Sequence, residues 1–441
     1  MDAAIAQFSN QLIACALAAV EPRQAVLKAL DWDGTQLRCD DWQWAGTGRI
    51  IVLGAGKAGA PMSAAVEQLL GDRIAAGLVV VKDAHRGAIA LNHIELIEAS
   101  HPTPDQRGLN AAQQVERLLK QAQANDLVLA LISGGASALL PAPAGNISLA
   151  DLQQLTQLLL ACGAPIEQIN VLRKHCDRLK GGQFAALAQP ASVLSLVISD
   201  VVGSPLSIIA SGLSVPDSGS FAEAWAMLEH YQLQNHVARS IRDYLHAGMR
   251  RLVPTHPNGS EPWWPNVQTS IITRNETAQI AVKQFAQAQG WQIIHEQQPI
   301  LGEAQEVGAA LGQRLRQLAA AAHQPTLYLA GGETTVNLAG IQPHSRGGRN
   351  AELALAAALA LAGCPNCQLI ALASDGGDGS SPAAGAIANG QSIAQARRLG
   401  LEPHSFLANH DSYGFWQALG STIEIGPTLT NVNDLVIGLV W

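Results

Sequence analysis

Short, mainly apolar runs alternate along this chain with longer stretches whose apolar positions recur every three or four residues. The runs 49–53 (RIIVL), 77–81 (GLVVV), 94–99 (IELIEA), 127–132 (LVLALI) and 192–199 (SVLSLVIS) have strand length, and helical segments such as PDQRGLNAAQQVERLLKQAQ lie between them. That alternation predicts β-α units on a mostly parallel sheet. Residues 253–266 (VPTHPNGSEPWWPN) are dense in Pro, Gly, Asn and Ser and lack periodicity, which marks a domain boundary. Beyond it the pattern resumes with SIITRN, WQIIHEQ, TLYLAGGE, LIALASDG, STIEIG and LVIGLVW, and the Ala/Leu stretch 350–363 predicts a helix buried on most of its surface. One local form recurs, an apolar strand ending in a Gly-rich turn, at VLGAGKAG, LISGGAS, YLAGGETT and LASDGGDG. In parallel α/β sheets such strand ends converge on one edge, where ligands bind.

Composition sharpens this picture. A length of 441 residues predicts two domains, 1–255 and 266–441, and 48% apolar with only 4% aromatic residues means cores packed by aliphatic side chains. The formal charge of −8, with no basic cluster interleaved with aromatics, argues against a nucleic-acid partner and for a small anionic substrate held at isolated positive spots. Of six cysteines only Cys364 and Cys367 form a Cys-x-x-Cys pair; without a second pair it reads as a loop with incidental thiols in a reducing cytoplasm. Residues 1–23 lack the features of a secretory signal and have the apolar spacing of a surface helix. The uncharged tract 127–150 is broken by SGG and PAPAG, so it predicts a strand, a loop and a short helix, with no membrane span.

Six groups of residues carry candidate chemistry. Gly54-x-Gly56-x-x-Gly59 follows the first strand and matches a dinucleotide fingerprint, and the helix start after it favours an anion. The acid expected about 20 residues on is poorly placed, as Lys82 precedes Asp83, and Lys57 inside the loop suits phosphoryl transfer better. Ser133-Gly134-Gly135-x-Ser137 presents backbone donors and two hydroxyls, as a phosphate or carboxylate site or simply a tight turn. Arg173, Lys174, Arg178 and Lys180 form either an anion-binding strip or a solvated helix face. Asp200, Glu333, Asp375 and Asp378 follow strands, where Mg²⁺ prefers one or two carboxylates plus phosphate oxygens. Arg349, in RGGRN, opens the buried helix against its dipole. His101, in SHPTPD, lies near a ligand or merely in a proline-stiffened turn.

Ten blocks in order, GAGKA, HPTPD, SGGASALL, RKH…KGG, SDVVG…IASG…VPD, GGETTV, GGRN, SDGGDG, DSY and GPTLTNVNDL, span nearly the whole chain. Together they resemble the class II glycerate kinases, or MOFRL family, whose members phosphorylate D-glycerate to 2-phosphoglycerate and have sometimes been labelled hydroxypyruvate reductases. The chain departs from that pattern at Ser204 and Ser207, at Gly212-Leu213-Ser214, at Pro382 and at Gly414.

The resemblance implies a two-domain α/β fold: a Rossmann-like, mostly parallel domain, a second α/β domain with a mixed sheet, and an active site in the interdomain cleft. It implies ATP and Mg²⁺, no nucleic acid or membrane partner, and is compatible with a homo-oligomer. Lys57 and Arg349 are expected on the migrating phosphoryl group, with Asp200 at the attacking hydroxyl or the metal. Gly54, Gly56, Ser133, Gly134, Gly135, Ser137, Arg173 and Lys174 are expected to hold substrate or phosphate, and Glu333 and Asp375 the metal. The alternatives are an NAD(P)H-dependent hydroxypyruvate reductase and a non-catalytic binding relative.

Overall fold

Residues 3–337 and 345–441 are described by the structure, a computed structural model. They fall into two compact units, Pro22–Ile272 and Met1–Glu21 with Thr273–Trp441. The division differs from the expected 1–255 and 266–441 at both ends. The N-terminal helix α1 (Ala3–Ala19) buries Ile5, Leu12, Ile13 and Ala16 within the second unit. There Phe8 stacks on Trp291 at 4.8 Å between ring centroids, and the Ser9 hydroxyl accepts a hydrogen bond from Gln368. At the other end, the strand expected to open the second domain is the edge of the first sheet.

The first unit is built on six strands, β1 (Ile50–Ala55), β2 (Ile74–Lys82), β3 (Glu95–Ala99), β4 (Leu127–Ile132), β5 (Ser192–Ile198) and β6 (Val267–Thr273). Their spatial order is β3-β2-β1-β4-β5-β6, and the four pairs from β3 to β5 are parallel. β1 and β4 are buried along their whole length because helices cover both faces of a sheet whose strands connect by crossovers, which is why these segments read as continuous apolar runs. Helix α2 (Gly59–Leu70) follows β1, and α3 (Gln106–Lys120), capped by Asp105, turns Ala111, Ala112, Val115 and Leu119 to the core. Leu129, fully buried in β4, lies beside Val52 and Leu194 in register. Leu129→Ala should cost about 3 kcal/mol, read as a lower urea midpoint with unchanged slope.

Strand order reverses between β1 and β4. In doubly wound sheets the loops leaving two such strands diverge to opposite faces and open a crevice at their carboxyl ends. The GAGKAG and SGGAS turns leave these two strands. A separate helical layer, including α4 (Ile166–His175), packs around Leu155, Leu172 and Leu228.

The second unit holds α5 (Asn275–Ala288), α6 (Ala304–Ala321) and α7 (Arg349–Leu361) with strands β7 (Gln292–His295), β8 (Ile300–Glu303), β9 (Thr326–Thr335), β10 (Cys367–Ala373), β11 (Gly385–Asn389), β12 (Thr422–Ile423) and β13 (Asp434–Val440). The sheet order is β7-β9-β13-β10-β11-β12, with β8 also pairing β9, and it is mixed as expected. β13 runs antiparallel between β9 and β10, so its first residue, Asp434, lies opposite Gly332 on one side and Ala373 on the other. The Ala/Leu helix α7 is buried along most of its surface. No single described helix is long and apolar enough to cross a membrane.

Candidate active site

In the first unit the two Gly-rich turns bond directly to each other. The Lys57 amide donates to the Gly134 carbonyl at 2.9 Å, the Ala58 amide to the Ser133 hydroxyl at 3.0 Å, and the Ser133 amide to the Ala55 carbonyl at 3.1 Å. Gly54 and Gly56 are required by this approach: a methyl group on either would fall about 2.1 Å from Leu131 or Ser133 oxygens. The parallel register then brings in a third strand end. Asp200, just beyond β5, sets its carboxylate against Gly134, where an added Cβ would lie 1.9 Å from Oδ2. Gly134→Ala must therefore displace Asp200; we expect turnover to fall by roughly 10²-fold with stability changed by only about 1 kcal/mol, as read by steady-state kinetics and urea titration.

His101 closes the same edge, its ring against Gly135, which sits in the left-handed region at φ +88°. Burial first, and then the charges of Lys57, Lys82, His85 and Arg173, push its pKa down to about 4. Several cations thus act on this ring, with Asp200 as the carboxylate across Gly134. A histidine neutral when folded and near 6.5 when unfolded takes up its proton only on unfolding between those values. Stability should therefore fall as pH drops from about 6.5 towards 4, by about 2 kcal/mol after discounting for partial exposure. His101→Gln should remove only that share of the slope between about pH 7 and pH 4.5 in denaturant titrations, because His256, also lowered to about 4 by burial, keeps its own share.

The basic run at the end of α4 divides sharply. Lys174 pairs with Asp217 at 3.0 Å, Arg178 with Glu116 at 2.7 Å and Lys180 with Asp177 at 2.6 Å. Lys174, expected at the substrate, is buried and its ammonium pairs with Asp217 in the 212–220 loop. The Arg173 side chain has no ion-pair or hydrogen-bond partner among the described residues, and burial lowers its pKa. It lines a small cavity with Ser137, Pro102 and Pro104. Ser137 is held there through Ser211, whose hydroxyl bonds Asn170 at 2.9 Å. A half-buried guanidinium with no carboxylate is costly unless an anion completes it.

In the second unit the chemistry gathers where β9, β10 and β13 meet the start of α7. Arg349 donates to both Asp434 oxygens, Nη2 reaching Oδ1 at 2.9 Å, and its Nη1 reaches Glu333 at 3.0 Å. Asp378 caps α7, accepting the amides of Asn350 and Ala351 at 3.0 and 2.8 Å, and burial outweighs those bonds and raises its pKa to about 6. The Asp375 carboxylate accepts the Gly377 amide at 3.2 Å and lies close enough to Asp434 to raise its pKa alongside burial. The cost of an arginine at a helix start is thus offset by carboxylates around it. Glu333, expected at a metal, is engaged by Arg349.

Comparison with known proteins follows this geometry. Residues 8–246 match a domain of unknown function (DUF4147), and residues 326–434 match the MOFRL family. A D-glycerate 2-kinase of Thermotoga maritima is 36% identical over 395 residues, covering 89% of this chain and 91% of that protein. The chain belongs to the MOFRL family of glycerate kinases. A glycerate kinase crystal structure from Thermotoga maritima matches 99% of this chain and 100% of its own, with a TM-score of 0.87 at 33% identity. A protein of Agrobacterium vitis that bears the label hydroxypyruvate reductase is 39% identical over 393 residues, covering 88% of this chain and 86% of its own length.

Among the residues expected at a glycerate kinase site, the first unit brings together Gly54, Gly56, Lys57, Ser133, Gly134, Gly135 and Asp200, with Ser137 and Arg173 lining the adjoining cavity. The second brings together Arg349, Glu333 and Asp375. Asp434 was missed. It stands immediately before an apolar run, whereas the expected acids stand immediately after one; only the antiparallel direction of β13 carries it to the same edge.

Proposed function

We propose that this chain transfers the γ-phosphoryl group of ATP to the 2-hydroxyl of D-glycerate. The observation that supports this most is the pair of Gly-rich turns locked together beneath Lys57 and Asp200, among several cations, at the reversal point of a parallel sheet. Phosphoryl transfer needs positioning and compensation of spreading negative charge more than covalent chemistry. Lys57 and Arg349 supply the cations at the migrating group. Asp200 accepts or orients the proton of the attacking hydroxyl. The SGGAS turn and Arg173 hold the substrate carboxylate or a nucleotide phosphate, and Lys174 acts only by supporting the fold.

The donor set around Arg349 is all carboxylate oxygen, which suits Mg²⁺. Glu333 and Asp375 would hold the ion, which neutralises phosphate charge when bound. All six cysteines are thiols, in keeping with a reducing cytoplasm.

A specific contact argues against the reductase reading. Asp83, the acid that a nicotinamide ribose would need, is bound through both oxygens by Arg107 at 2.7 and 2.9 Å. Incubation with D-glycerate and MgATP, with the product resolved by phosphorus NMR, should give 2-phosphoglycerate. Formation of 3-phosphoglycerate would overturn the regiochemistry, and oxidation of NADH by hydroxypyruvate without kinase turnover would overturn the reading itself.

A further inference from the structure

The first unit contains a second constellation, which the phosphoryl-transfer reading does not use. His175 ends α4, Asp217 lies in the loop 212–220, and His256 follows in the segment after residue 250; all three are buried. One ring nitrogen of each histidine and one carboxylate oxygen lie within 4.8 Å of one another. The two rings meet edge to face at 4.4 Å.

The hydrogen bonds around them leave lone pairs pointing inward. His175 Nδ1 bonds the Val171 carbonyl at 2.8 Å and His256 Nε2 bonds the Lys174 carbonyl at 3.0 Å. A carbonyl only accepts, so each of these nitrogens carries the proton and the other nitrogen of each ring is a lone-pair donor. Burial keeps both rings neutral. Asp217 Oδ1 takes the Lys174 ammonium and the Gly219 amide, while Asp217 Oδ2 and His256 Nδ1 are buried with no hydrogen-bond partner at all. Those two atoms are 3.9 Å apart, too far for a hydrogen bond. The space beside them is kept open by glycine: a Cβ on Gly181 would lie 3.1 Å from Asp217 Oδ2, and one on Gly219 3.2 Å from His175 Cε1.

We propose that His175, Asp217 and His256 bind one transition-metal ion of the Zn²⁺ class. The ligands would be His175 Nε2, His256 Nδ1 and Asp217 Oδ2, with a fourth position left for water. Two imidazoles and one carboxylate select a borderline ion such as Zn²⁺ over Mg²⁺, which takes oxygen donors. Bonds of about 2.0–2.1 Å place tetrahedral ligands about 3.3 Å apart, so the Asp217–His256 pair, now 3.9 Å apart, must close by about 0.6 Å and no pair by more than about 1.5 Å. The two backbone carbonyls and Lys174 form the outer shell that fixes both tautomers and the carboxylate. The carbonyl end of α4 offsets part of the repulsion from Lys174. Since 175, 217 and 256 are distant in sequence, the ion acts as a clip on this unit, and its binding energy adds to folding.

The test uses the full chain, stripped with dipicolinate and titrated with Zn²⁺ and Co²⁺. We expect one Zn²⁺ per chain by elemental analysis, a Tm raised by several degrees on adding Zn²⁺, and visible Co²⁺ bands of a nitrogen/oxygen site. H256Q should weaken Zn²⁺ binding at least about 100-fold and lose the Tm response at unchanged circular dichroism, whereas a C364S/C367S double variant should keep both. Zn²⁺ below a tenth of an equivalent, equal affinity in H256Q, or loss of the metal in the cysteine variant would overturn the site. Should H256Q not fold, the Co²⁺-loaded parent decides: a thiolate charge-transfer band, or no visible band, overturns it.

Discussion

Arg349→Ala should be both less stable and nearly inactive, and a second substitution should separate the two effects. Arg349 is the guanidinium that compensates Asp434, a carboxylate almost wholly buried at the start of β13. Removing it leaves that charge uncompensated, which costs about 3–5 kcal/mol in comparable buried pairs. If the guanidinium also offsets charge on the migrating phosphoryl, turnover at saturating MgATP and glycerate should fall by roughly 10³-fold. Adding Asp434→Asn to the alanine variant removes the stranded charge, so urea titrations should recover most of the stability while kinetics recover none of the turnover. Activity of Arg349→Ala within a few-fold of the parent would remove the arginine from the transfer step.

Lys57→Ala should show the opposite balance. The turn carrying it is fixed by backbone bonds, the Lys57 amide to Gly134 and the Ala58 amide to Ser133, and these do not depend on the lysine side chain. Stability should therefore change by less than about 1 kcal/mol. Turnover should drop by roughly 10²-fold or more, because a cation placed where charge develops is worth several kcal/mol in a site that excludes water. A variant that loses stability and keeps its turnover would mean that Lys57 serves the fold alone.

The sequence disclosed the first sheet almost strand for strand, since β1 and β4 are covered on both faces and so are apolar without interruption, and β5 is broken inside only by the buried Ser195. It disclosed the second sheet less well. β8 and β11 escaped notice because one is short and partly exposed and the other, GAIAN, is built of small residues that do not stand out as a strand. Within the site, glycines were informative because the turns they form demand close approach. The basic run at 173–180 was ambiguous from sequence, as it mixes Arg173 with three cations whose partners, Asp217, Glu116 and Asp177, include two that lie far along the chain. Asp434 lies inside the quoted block GPTLTNVNDL but does not stand out as a site residue for a topological reason, since a residue that begins a strand is assigned to the far edge unless the strand is known to run backwards.

The membership of α1 in the second unit has a bearing on biosynthesis. Residues 22–272 are contiguous and can collapse as soon as the ribosome has delivered them. Helix α1, made before this stretch, must wait, its apolar face uncovered, until α5 has emerged more than 250 residues later. A nascent chain halted once β6 but not α5 has cleared the ribosome should thus hold a protease-resistant core together with a cleavable α1, and the sensitivity should be lost once the second unit has emerged.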